Sequence, residues 1–174
     1  MLISKKMNAA LNQQIGNEFG ASLQYVAIAC HFANEGLSAL AEHFFKQANE
    51  ERDHAMRFVK YILDAGGKVE LPAIPAPQSA FKSAAEAVKL SLDWEMTVTR
   101  QINDLVNLAI KESDHLAHST LIWFVKEQLE EVSSMDNLLK VVQRAGENNL
   151  IHVEQFLMRL HCKAKASEAA ADSD

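Results

Sequence analysis

The sequence predicts an all-α protein, a four-helix bundle with one long crossover and a short fifth helix. Three observations carry this. The 174 residues hold only 6 Gly and 3 Pro, so turns are few and elements are long. All three prolines, Pro72, Pro75 and Pro77, fall in one stretch just after Gly66 and Gly67. On both sides of that stretch, apolar residues recur at steps of four and three, the period of a buried helix face.

The first helix is expected over 4–33 and the second over 38–65. Gly36 is the expected stop between them and Ser38 the expected N-cap. Residues 66–82 form the one true loop. The third helix is expected over 83–112 and the fourth over 115–145, with Ser113 and Asp114 as capping residues and Gly146 as the stop. A shorter apolar segment, 150–160, reads as a fifth helix. Short links make antiparallel hairpins, and a loop of this length can run the length of a bundle. The topology is therefore up-down-down-up. Residues 1–162 form one domain, and 163–174 read as a polar, disordered tail.

Composition narrows the function. Hydrophobic residues make up 48% and charged residues 23%, the proportions of a globular chain rather than a disordered one. A net charge of −6 without a basic run speaks against nucleic acid and against an anionic membrane surface. No charge-free run reaches membrane-spanning length. Cys30 and Cys162 show no CxxC spacing and read as free thiols of a cytoplasmic protein. No apolar run follows the N-terminal lysines, so no leader is expected.

The chemistry lies in the seams. The first helix presents Met7, Leu11, Ile15, Glu18, Ser22, Tyr25, Ala29 and Phe32. The second presents Leu40, Phe44, Gln47, Glu51, His54, Phe58 and Tyr61. The third presents Ala84, Val88, Ser91, Glu95, Val98, Ile102, Leu105 and Ala109, and the fourth Leu121, Val125, Gln128, Val132, Met135, Leu139 and Val142. Each seam is interrupted near its middle by Glu18, by Glu51 and His54, by Glu95, or by Gln128 with Glu131 one turn on. Antiparallel packing brings the four middles to one level. Four carboxylates, an imidazole and an amide then meet in the core.

Burying a carboxylate costs several kcal/mol even after relaxation, and like charges add repulsion. No seam offers a central Lys or Arg, and Arg52 and Arg57 reach at most an edge. Two divalent cations balance four carboxylates. Mixed oxygen and imidazole donors suit iron, manganese or zinc. The other histidines, His31, His43, His115, His118, His152 and His161, lack ligand spacing and read as surface or interface residues. Met56 reads as packing.

Glu18 and Glu95, with Glu51-x-x-His54, resemble the di-iron site of the ferritin family. The strings Asn17-Glu18-Phe19, Glu50-Glu51-Arg52-Asp53-His54-Ala55-Met56 and Lys126-Glu127-Gln128-Leu129-Glu130-Glu131 agree with it over about 4–160. On the fourth helix, Gln128-x-x-Glu131 replaces a second Glu-x-x-His, as in the non-haem bacterial ferritins. Arg52 stands where bacterioferritins carry a haem-binding methionine, so no haem is expected.

The resemblance implies a ferroxidase that oxidises Fe(II) with O2 or H2O2 at a dinuclear iron centre. It implies a ferric oxyhydroxide store inside a 24-chain shell, with a reductase or ferredoxin for release. Tyr25 and Trp123 would supply electrons or hydrogen bonds. Glu50, Glu127 and Glu130 would hold a third iron on the route inward. The rival readings are a di-iron oxidase or peroxidase acting on a small substrate without storage, and a structural bundle that binds nothing.

Overall fold

In the computed structural model, residues 2–171 are described, with side chains through Cys162. Helix α1 spans Lys5–Asn34, α2 Ser38–Asp64, α3 Ala84–Glu112 and α4 His115–Ala145. A short 3-10 turn over Glu147–Asn149 leads into α5, Ile151–Ala171. Helices α1 and α2 pair, as do α3 and α4, and α5 packs chiefly against α2. The expected bundle is present, with no strand among the described residues.

The stops are where the sequence places them. Gly36 and Gly146 take φ of 76° and 71°, a region that glycine enters without steric cost. Asp114 caps α4 by accepting from the Ala117 amide at 2.9 Å. Ser38, however, does not cap α2. The N-cap is Leu37, which makes no side-chain cap bond. The buried carboxylate of Glu154 takes over from α5, accepting from the Ala39 and Leu40 amides at 2.8 Å each. Helix α3 is capped by Ser83, which accepts from the Glu86 amide at 3.0 Å, and Glu147 adds to it by accepting from the Ala84 amide at 3.0 Å.

Helix α5 also runs past Leu160 to Ala171. Lys163–Ala171 is rich in alanine, the best helix former, so lack of apolar residues does not end the helix there. Residues 172–174 of the expected tail lie outside the described residues.

The crossover is held in register along α1. Lys68 exchanges hydrogen bonds with Asn8, its amide donating to Oδ1 at 3.0 Å and its carbonyl accepting from Nδ2 at 3.0 Å. The Glu70 amide donates to Asn12 Oδ1 at 2.8 Å. Pro72 lies against Gly16, and Ile74 against Gly20. Gln78 then pairs through its amide and carbonyl with the Gln24 side chain, at 2.8 Å each. From Lys68 to Ile74 the loop thus advances two residues for each four of helix. Two residues of extended chain cover about 6–7 Å, and four of helix about 6 Å, so the two climb together.

The core is in two parts. One apolar cluster, with Ile28, Phe32, Leu40, Phe44, Val88, Met135 and Val142, sits at the α5 end. The other, with Met7, Leu11, Ile15, Phe58, Ile62, Ile102 and Leu121, fills the opposite end. Between them lies the polar level of the seams. Four seam positions differ from expectation. Ser22, Tyr61 and Val132 are only half-buried, and Val125 is exposed, with Phe124 buried in its place, stacked on Phe58 at 4.0 Å.

Candidate metal centre

Glu18, Glu51, His54, Glu95, Gln128 and Glu131 are all buried, one group per helix in the layer between the two apolar clusters. Glu18, Glu51 and His54 each present a ligand atom, and these atoms lie within 4.8 Å of one another. His54 Nδ1 is 3.3 Å from Glu51 Oε2. On the other side, Glu95 accepts from the Tyr25 hydroxyl and, at 3.3 Å, from Gln128 Nε2.

Burial sets the electrostatics. It pushes the Glu18 carboxyl well above its ordinary value, with Glu51 adding to the rise. Glu51 is raised by burial, then by Glu95 and Glu131. Glu95 is raised by burial and eased by the Tyr25 and Gln128 hydrogen bonds. Glu131 is pushed up to about 8 by burial, then by Glu95 and Glu50. The same burial raises the Tyr25 phenol, with Glu95 adding to it.

The donor set fits a cation. Among the described residues, none of the four carboxylates pairs with a Lys or Arg; the one ion-pair partner in the layer is His54. Glu18 Oε2 and Glu51 Oε1 are buried without a hydrogen-bond partner. Buried polar atoms rarely stay unpaired unless something else satisfies them. Glu95 differs, since both its oxygens are engaged.

Glu127 forms a second close group with His54 and Glu131. Glu50 and Glu127 are half-buried and Glu130 is exposed. All three line a cavity of about 400 Å³ with Glu131. Trp123 stands edge-on to His54, with ring centroids 5.5 Å apart. Arg57 lies over that indole at 3.8 Å. Met56 is exposed rather than packed.

Two contributors escaped the sequence reading. Gln14 donates to Glu18 Oε1 at 2.8 Å. Thr99 donates to Gln128 Oε1 at 2.9 Å. Gln47 was assigned to a seam, and it donates to Glu50. Gln14 and Thr99 sit four residues from Glu18 and Glu95, so an i±4 search around each carboxylate would have found them. His43, read as a surface residue, has its Nε2 buried.

The ferritin-like domain family matches residues 8–145. The chain belongs to the ferritin family. Ferritin BfrB of Mycolicibacterium smegmatis is 44% identical over 168 residues, covering 97% of this ferritin and 92% of that relative. A bacterial non-haem ferritin of Staphylococcus haemolyticus is 35% identical over 147 residues, covering 84% and 89%. Among solved structures, an open-pore ferritin from the archaeon Archaeoglobus fulgidus aligns with a TM-score of 0.87 at 32% identity. It covers 90% of this ferritin and 96% of that chain.

Proposed function

We propose that this ferritin is a ferroxidase that takes Fe(II) as substrate, oxidises it with O2 or H2O2 and stores the ferric product as oxyhydroxide inside a 24-chain shell. Glu18, Glu51 and His54 hold one iron. Glu51, Glu95 and Glu131 hold the second, with Gln128 beside it. The single observation behind this is the buried carboxylate layer, with unpartnered oxygens on Glu18 and Glu51.

The residues divide the work. Charged oxygen donors bind Fe(III) more tightly than Fe(II), which favours loss of the electron. Two irons together supply two electrons, so the oxidant need not be released half-reduced. Carboxylates that carry protons in the metal-free state release them as iron binds. Tyr25 holds Glu95 in place through its hydroxyl hydrogen bond and would supply an electron for reduction of the oxidant at the iron centre. Gln128, a neutral amide where the symmetrical Glu-x-x-His pattern has a carboxylate, leaves the second iron more weakly held and free to move on. Glu50, Glu127 and Glu130 continue the acidic lining along the cavity and form the third-iron site. Trp123 positions His54 by its edge contact. With Arg52 in the second-helix motif, no haem is assigned. Free, exposed Cys30 and Cys162 suit a reducing cytoplasm, where a reductase or ferredoxin would drive release.

One experiment tests the whole reading. The metal-free protein is mixed with Fe(II) in air, and particle size and iron per chain are measured. A large shell holding many irons per chain is expected. A small oligomer holding about two would overturn storage and leave the dinuclear centre standing.

A further inference from the structure

His43 lies on α2 one turn before Gln47. Its Nε2 is buried and has no hydrogen-bond partner, and the same is true of Gln47 Oε1. The His43 ring is held edge-on to Phe44, with centroids 5.2 Å apart. Both side chains line the cavity of about 400 Å³ between α2, α4 and α5, and His161 faces them from α5. Two imidazoles and an amide oxygen thus line the same cavity, and His161 is near enough to His43 to act on its charge. Glu50, Glu127, Glu130 and Glu131 line it too. The basic side chain there, Lys46, is engaged by Glu50 at 3.4 Å.

We propose that His43 and His161, with the Gln47 amide oxygen, form a second cation site that takes a borderline divalent ion such as Zn(II) or Fe(II). Neutral nitrogen donors select such ions, whereas carboxylates favour harder ones. The site therefore differs in kind from the acidic centre and does not depend on it. The surroundings support it. Burial, helped by His161 and Lys46, lowers the His43 pKa to about 4, so the ring is neutral and keeps a free lone pair at neutral pH. Four carboxylates along the wall draw cations into the cavity, and water completes the coordination shell.

The test uses the assembled protein stripped of metal and then exposed to Zn(II) alone. Anomalous diffraction at the zinc edge is expected to show an ion about 2.0–2.1 Å from His43 Nε2 and from a His161 nitrogen. Equilibrium dialysis is expected to show a loss of about one zinc per chain in both His43→Ala and His161→Ala. Glu51→Ala should keep that ion while losing zinc from the carboxylate layer. His161 is only half-buried, so its variant keeps the test open if His43→Ala does not assemble. No anomalous peak between the two rings would overturn the proposal. So would zinc binding that is unchanged in both histidine variants.

Discussion

Glu131 links the chemistry of single residues to a bulk measurement. Its carboxyl is pushed from an ordinary 4.5 up to about 8, so the folded, metal-free protein holds a proton there that the unfolded chain has lost at neutral pH. That stabilisation is complete below about pH 4.5 and is lost as pH rises through 8. The melting temperature of the metal-free protein should therefore fall more steeply over this window than that of Glu131→Gln. Excess Zn(II) should flatten the difference, because the cation takes over the proton's role. Identical slopes would remove Glu131 from the account. Further along the cavity, Glu130→Ala should slow turnover of stored iron more than the first oxidation. Stopped-flow traces affected equally in both phases would reject a transit role. The buried polar layer itself was legible because polar residues in a seam break a strict period. Phe124 and Val125 were not told apart, since both are apolar and either fits a step of three or four. Gln14 and Thr99 were missed because they stand outside the seam and act through another side chain.

Among the helices, α1 carries more information than its core face shows. Asn8, Asn12, Gly16, Gly20 and Gln24 recur every four residues along a second face, and each meets the crossover. A methyl group on Gly16 would come 2.3 Å from Pro72 Cγ. Gly16→Ala should then cost about 1–3 kcal/mol through overpacking, read as a lowered urea midpoint. At Gly20 the same atom would meet Trp94 at 3.4 Å, ordinary contact. The gain in helix propensity of about 1 kcal/mol should leave Gly20→Ala neutral or stabilising. If both variants lose stability equally, close packing of the crossover is not the cause. The caps from α5 give a second element-scale prediction. Glu154→Ala should destabilise by about 1–2 kcal/mol while leaving the rate of Fe(II) oxidation unchanged. Neither device was readable beforehand: the partners lie more than fifty residues apart, and local capping rules see only neighbours.

At the scale of the whole molecule, proline clustering located the crossover, and that single placement aligned the four helix middles. The fold class, the bounds of the four long helices to within a few residues and the carboxylate layer all follow from it. Cage assembly does not, because the surfaces that meet other copies carry no period of their own. The divided core has a consequence for motion. Most helices loosen from their ends, where amides lack partners. Here each of the four long helices is clamped by an apolar cluster at either end, and its middle is where charge repels charge. Amide exchange in the metal-free protein should therefore show a dip in protection midway along α1 to α4, deepening with pH. Metal should erase the dip and turn the slackest level of the bundle into its stiffest. Protection highest at the middle in the metal-free state would show that the two halves of the core are one cooperative unit.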